Sequence, residues 1–595
     1  MMRILSPVVA LMACASLVLV ACTGSSDDEG ASTPSSPPHS TADDQTIIGM
    51  DPNATAPAPP IPGARKGGTL TVLSYYQGGG TTPTLDPSDL YSIQGDPLES
   101  GLLVRSLTQY VYDPKTQQMV LIPDLATDLG RPSPDFTTWR FTLRPGVRFE
   151  NGQPVTAEDL KFGIERSLDR TTFPDGAPYS NQYFRHGDTY QGPYTSPGPY
   201  DGVTVQGQTI TIHMSQPFPD MPYWGSFPAI SPIPPGQASD PATYRNHPWA
   251  TGPYMVKPGG YRPGKSLVLV KNPYWDPNTD PGRHQYVDQF DFNFATDQGT
   301  TDRLILSDEG PAQTTISAKG ILAEDYPAFA RQASDRLVEG SQPCTSMWDL
   351  DNRKITDIRV RRALAYAFPY RAAWAADGQI PRVMRLPATN LIAPGIPGRV
   401  AYNPLPGHTP WRTDPAKARA LLTVAGRLGY PISWAYQTDY PQAVAQKNVL
   451  VRALAAAGFD PQPVPTTGAN YDEFQSNPKA DVNVRQLNWC SDWPSGGAWL
   501  PELFESTDIA KDGFESNFAA FSAKAVDDRI NAIPHLLLAE QAPAWNALDK
   551  QIQTTYFPVV VLGYWHVVLI RGSKVHNDIS DTVFGAPTYK DLWIG

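Results

Sequence analysis

The run Gly259-Gly260-Tyr261-Arg262-Pro263-Gly264-Lys265-Ser266 satisfies GxxxxGK[ST], the spacing of a phosphate-binding loop. Such a loop works when a helix begins directly after it, so that backbone N–H groups converge on phosphate. Here the β-type run Leu267-Val268-Leu269-Val270 follows, and Pro263 removes one donor. The octapeptide reads as a hairpin turn. Acidic pairs such as Asp349/Asp351 have the residue types of a glycosidase dyad. In a chain with 59 Asp and Glu residues such pairs arise without chemistry. Nine histidines, among them His186, His213, His284, His535 and His566, lack metal-ligand spacing. There is no GxSxG elbow, HExxH helix or paired CxxC. The expectation is a non-enzyme with no cofactor, no metal and no catalytic residue.

Four cysteines remain: Cys14, Cys22, Cys344 and Cys490. Met1-Met2-Arg3 supplies a positive charge, Ile4 to Val20 is apolar, and Ala21 is a small residue before Cys22. That is the layout of a secretory signal. Leu19-Val20-Ala21-Cys22 resembles a bacterial lipobox, which implies loss of residues 1–21 and lipidation of Cys22. The apolar run is too short, and too soon followed by polar residues, to read as a membrane span. Cys14 leaves with the signal. Cys344 and Cys490 are then one pair in an oxidising compartment, either bridged or two buried free thiols. A bridge closing so long a loop is worth about 4–5 kcal/mol in the chain-entropy account.

From Thr23 to Ala64 the chain is Ser, Thr, Asp, Ala and Pro with almost no large apolar residue. Such a segment cannot bury enough surface to offset its chain entropy, so residues 22–64 read as a disordered stalk. The protein is placed outside the cytoplasm, anchored to the outer face of the cell membrane, in a periplasm or at the cell surface. The body from residue 65 exceeds a single core, so two or three domains are expected. Formal charge is -12, and removing residues 1–21 removes only Arg3, which leaves about -13. That acidity argues against nucleic acid as a partner.

The elements that must position any site are legible in part. Gly68 to Leu73 and Thr138 to Leu143 alternate as strands. Thr156-Ala157-Glu158-Asp159 has the form of a capping box, opening a helix with Leu160, Ile164 and Leu168 one turn apart. Val203 to Ile212 reads as a hairpin around Gln206-Gly207-Gln208. Pro217 to Pro263 is dense in Pro and Gly and reads as irregular. Asp357 caps a helix that Pro369 limits. Asp414-Pro415 starts another that Gly426 ends, and Val444 to Gly458 is a third. Phe557 to Leu562 is a late strand. Helices and strands mix without strict alternation, which gives an α/β body in several lobes.

Several stretches together resemble the extracytoplasmic solute-binding proteins of ABC importers, in the oligopeptide/dipeptide-binding family 5. They are Gly67 to Val72 with Leu85-Asp86-Pro87, Trp139 to Phe149 with Asn151 to Asp159, Thr251-Gly252-Pro253-Tyr254 with Lys271 to Trp275, and Asp357 to Leu364. The resemblance spans nearly the whole body in the right order. It implies a periplasmic-binding-protein-like α/β fold, with two hinged lobes, a cleft between them and an extra inserted domain. Mapped here, lobe one is 65–117, 242–343 and 560–595, its inserted domain 118–241, and lobe two 344–559.

The resemblance also assigns roles. Trp489-Cys490-Ser491-Asp492 matches the point where an aspartate pairs with a peptide's α-ammonium. It implies a disulfide from Cys490 to Cys344 and makes Asp492 the anchor, with Trp489 as an apolar wall. Tyr91 and Ile93 match a ligand-lining loop, and Tyr179 and Tyr471 fall near aromatic pocket positions. A cation for the peptide's C-terminus does not map: Arg485 is nearby but displaced. Trp493-Pro494-Ser495-Gly496-Gly497 departs from the family pattern. The reading is a monomeric, lipid-anchored receptor that captures oligopeptides and passes them to ABC permease subunits, touching the membrane through the lipid on Cys22. The same fold with a non-peptide solute (oligosaccharide, metal chelate, haem or opine) is the alternative, and an exported hydrolase the third.

Overall fold

The structure, a computed structural model, describes residues 49–74, 84–509 and 516–595. Residues 1–48, with the expected signal, Cys22 and the first part of the expected stalk, lie outside the described residues. From Gly49 onward the stalk expectation is corrected. Met50 is buried in a core cluster, and Asp51 N–H donates to the Leu121 carbonyl at 2.9 Å. Ala58 N–H donates to the Asp280 carbonyl at 2.9 Å, and Ile61 N–H to the Tyr286 hydroxyl at 3.1 Å. One apolar anchor and these bonds to the body offset the ordering cost that composition alone counted against the segment.

Three larger sheets organise the body. The first has five strands in the order Thr315–Ser317, Thr69–Leu73, Gln289–Asn293, Ser266–Lys271 and Tyr254–Arg262. Thr69–Leu73 pairs parallel with both its neighbours, and its Leu70 and Val72 are fully buried beside Leu267, Leu269 and Phe290. The expectation of irregular structure up to Pro263 is corrected here. Within that stretch Tyr254–Arg262 form a strand that turns back into Ser266–Lys271. A register irregularity between Val256 and Tyr261 absorbs Pro258, Gly259 and Gly260. The phosphate-loop look-alike is this hairpin.

The second sheet orders Arg131–Pro132, Thr138–Thr142, Thr209–His213 and Val203–Gln206. Its inward residues Trp139, Phe141, Ile210 and Ile212 pack against Leu160 and Ile164 of the helix Ala157–Ser167. That helix starts at the expected capping box: Asp159 N–H donates to Thr156 Oγ1, and Thr156 N–H to Asp159 Oδ2 at 2.9 Å.

The third sheet orders Arg385–Leu386, Val559–Ile570, Leu337–Leu350 and Val484–Cys490. Val559–Ile570 runs well past the expected end at Leu562 because it pairs along most of Leu337–Leu350. Helices Ile358–Ala367 and Pro415–Ala425 begin where the caps Asp357 and Asp414 place them, and Gly426 ends the second at φ 66°. The third expected helix is observed as Pro441–Ala456. It connects the parallel strands Pro431–Gln437 and Asp460–Thr466. Pro461, Pro463 and Pro465 alternate in the second of these, so the missing N–H groups share one edge and blunt it against further pairing.

Cys344 and Cys490 face each other across two antiparallel strands and form a disulfide. They are 146 residues apart in sequence. A Cys344→Ser/Cys490→Ser protein is expected to lose about 2–5 kcal/mol of stability in urea denaturation. An unchanged midpoint would mean that strand pairing alone already closes this loop.

Candidate functional site

Asp492 stands just beyond the strand Val484–Cys490. Its carboxylate accepts a hydrogen bond from Tyr91 Oη at 2.7 Å and another from Tyr179 Oη. The two tyrosine hydroxyls lie 3.5 Å apart, and their rings meet edge to face at 6.4 Å. The carboxylate is half-buried, and none of its partners among the described residues is a cation. Burial raises its pKa, and the two hydroxyl bonds oppose that rise by favouring the charged form.

Each partner is held by a different part of the chain. Tyr91 sits on a loop that follows Leu85-Asp86-Pro87. That loop is fixed by Arg166 from the capped helix, which donates to Asp86 Oδ1 at 2.9 Å, to Asp86 Oδ2 at 2.8 Å and to Ser88 Oγ at 3.0 Å. Both side chains of the pair are fully buried, and the guanidinium also lies 4.5 Å from the centre of the Phe173 ring. Tyr179 is the first residue of a short helix, Tyr179–Tyr183, packed in the same core as the second sheet. Asp492 is held from behind by Trp493. That indole packs on Tyr179 at 4.7 Å, on Phe218 at 6.0 Å and on Phe227 at 6.3 Å, and its Nε1–H donates to Asp220 at 2.7 Å. Burial pushes the Asp220 carboxyl up to about 6.

Beside Asp492 is a cavity of about 240 Å³. Tyr91, Ile93, Asp96, the Cys344–Cys490 disulfide and Phe584 are among its walls. The structure thus brings Asp492, Tyr91, Tyr179 and Ile93 together. Trp489 and Tyr471 lie elsewhere. Trp489 Nε1–H donates to the Ala498 carbonyl at 3.0 Å and the ring packs on the cluster around Trp499 and Leu500. Side chains alternate along a strand, so Cys490 rather than Trp489 reaches the cavity. Tyr471, on the helix Gly468–Ser476, accepts from Gln475 Nε2 at 3.1 Å. Arg485 is buried and paired with Asp351 at 3.4 Å, so it serves the core. Sequence reasoning missed the bracing by Trp493, although it adjoins Asp492. It also missed Asp96 and Phe584, and nothing in the spacing of Phe584 from Asp492 marks it.

The family model for "Bacterial extracellular solute-binding proteins, family 5 Middle" matches residues 120–511. The chain belongs to this family. Family 5 comprises extracytoplasmic solute-binding proteins of ABC importers, and the α/β fold described above is theirs. Protein XP55 of Streptomyces lividans is 26% identical over 520 residues, covering 80% of this chain and 81% of the relative. Among solved structures, clavulanic acid biosynthesis oligopeptide binding protein 2 superposes with a TM-score of 0.79 at 24% identity, covering 92% of this chain and 99% of that one. The periplasmic binding protein DppA from Helicobacter pylori, in complex with peptide STSA, superposes at 0.62 with 18% identity, covering 89% and 98%. Among the described residues no helix is long and apolar enough to cross a membrane, and no group of metal-ligating side chains is found.

The raised pKa of Asp492 means that the ligand-free fold holds its proton more tightly than the unfolded chain. Stability therefore falls as pH rises from the ordinary carboxylate range, about 3.9, through the raised value. Asp492→Asn removes that penalty, so the ligand-free variant is expected to melt at or above the native temperature at neutral pH. A lower melting temperature there would refute the electrostatic account. At the loop's brace, Arg166→Met leaves Asp86 buried and unpaired, at a cost of about 3–5 kcal/mol. Asp86→Asn added to it should recover part of that loss in urea denaturation.

Proposed function

We propose that this chain is the lipid-anchored, substrate-binding component of an ABC importer, and that it captures oligopeptides and delivers them to a membrane permease. The observation that carries this reading is the Asp492 carboxylate: half-buried, beside a cavity, with two hydroxyl donors and no cationic partner among the described residues. A carboxylate in that setting gains most from an ammonium, through charge-assisted hydrogen bonds strengthened by desolvation. The α-ammonium is the one cation that every unblocked peptide carries. An anchor on it ignores side-chain identity, which suits a receptor for varied sequences. Tyr91, Tyr179 and Ile93 would flank the peptide's amino end. Two structural neighbours, one an oligopeptide binding protein and the other a peptide complex, support the same class of ligand.

The expected boundaries fit a closing mechanism. Lobe one would supply Tyr91, its inserted domain Tyr179, and lobe two Asp492. Hydrogen bonds among the three would then form only when the lobes meet, so closure and ligand capture would share one set of contacts. Lipid on Cys22 would keep the receptor near its permease.

Native mass spectrometry of the purified chain, with acid release and sequencing of whatever accompanies it, tests the reading. Heterogeneous peptides are expected, and they should be lost from an Asp492→Ala variant. A single sugar, chelate or haem species would overturn the peptide reading within the same family. Added peptide at about 100 times its Kd should stabilise the native chain by about 2.7 kcal/mol, seen as a raised melting temperature.

A further inference from the structure

Three aspartates are buried around Tyr91, Asp86 and Asp89 on its loop and Asp96 in the first turn of the helix Gly95–Leu98, and among the described residues two of them have a cationic partner. Asp86 is clasped by Arg166. Asp89 is paired with Arg245 at 2.5 Å. Asp96 is 3% exposed. Its Oδ2 accepts from Ser92 N–H at 3.0 Å, and its Oδ1 is buried with no hydrogen-bond partner among the described residues. Unlike its two neighbours, Asp96 lines the cavity beside Asp492. Glu99 is also buried without hydrogen-bond partners among the described residues, but it does not line the cavity.

We propose that Asp96 is a second anionic anchor in this cavity and that it selects peptides whose first residue has a basic side chain. The inference rests on the peptide reading above. A buried carboxylate with an empty acceptor site is costly unless a cation or proton meets it. The chain has supplied arginines to Asp86 and Asp89 and, among the described residues, none to Asp96. Asp96 also feels the charge of Asp492, which makes the charged form of Asp96 less favourable, in addition to the larger effect of burial. A dicationic end group answers both carboxylates at once, with the α-ammonium at Asp492 and the side-chain cation at Asp96.

A second, uncharged group points to the same kind of ligand. Ser491 is 4% exposed, its Oγ is buried without a partner among the described residues, and it lines the same cavity. A lysine ammonium has three N–H donors and no acceptor, and a guanidinium has five donors. Either can use the free oxygens of Asp96 and Ser491 together. The cavity, about 240 Å³, is smaller than the roughly 300–1,000 Å³ of whole-ligand pockets. That volume suits the end residue of a peptide rather than all of it.

Calorimetric titration of the full chain, stripped of co-purified ligand, tests this with two probes: Lys-Ala-Ala and norleucine-Ala-Ala. They differ in one charged group and little in length. The lysine peptide is expected to bind about tenfold more tightly or better, as one buried charge-assisted contact implies. In Asp96→Asn the ratio of the two affinities should collapse to about one. Equal binding of both peptides by the native chain overturns the assignment, whether or not the variant folds. So does a preference that survives in Asp96→Asn. If neither peptide binds, the peptide reading itself fails, and this inference with it.

Discussion

A carboxylate taken out of water must be met by donors, and that requirement at Asp492 organises much of this molecule. Its donors come from residues 401 and 313 positions away in the chain. No local structure could supply them. Three segments must therefore be delivered to one point, and each has its own brace. The Arg166–Asp86 pair holds the Tyr91 loop. The core of the second sheet holds Tyr179. Trp493, plugged into that same core, holds Asp492 itself. The disulfide pins Cys490, the last residue of the strand that leads to Asp492.

The braces are largely apolar or fully paired, while the site is not. Arg105, Asp124, Asp280 and Arg283 form a buried cluster in which each charge has an opposite partner within 3.7 Å. There the arginines hold the Asp280 carboxyl well below its ordinary value despite its burial. Around the cavity the balance reverses: among the described residues Asp96 and Asp492 have no arginine partner. Charge neutralised within the fold contributes to structure. Charge left for an incoming group contributes to recognition. Within residues 86–96 the same residue type occurs both paired with arginine and, among the described residues, without a cation.

The two hydroxyls that meet Asp492 act as hydrogen-bond donors. Tyr91 and Tyr179 donate hydrogen bonds and are held away from ionisation by burial and by the adjacent Asp492 charge. They are poor bases in that state. The histidines that form ion pairs do so elsewhere: His186 with Asp201, His247 with Glu150 and His284 with Asp591. Solved structures at 24% and 18% identity share this fold, so the frame survives wide change in sequence.

The sequence alone determined what depends on near neighbours. Caps at Thr156, Asp357 and Asp414, the glycine stop at Gly426 and the hairpin at 263–265 are all local hydrogen-bond or backbone problems, solved within four residues. The family motifs marked Asp492, Tyr91, Ile93 and the Cys344–Cys490 pair, because residue order along the chain is enough to match a motif. Tertiary structure decided what depends on facing. By residue type and position, Trp489 and Trp493 are equally plausible walls for Asp492. Strand alternation turns Trp489 into the core around Trp499, and the chain's exit from the strand sends Trp493 into the core of a distant sheet. The burial of Met50 against Leu121, and the arrival of Phe584 at the cavity, are likewise long-range events. Composition predicts neither, because a contact across hundreds of residues has no period or spacing to read. Only the folded chain decides which of Asp86, Asp89 and Asp96 meets an arginine and which meets a cavity.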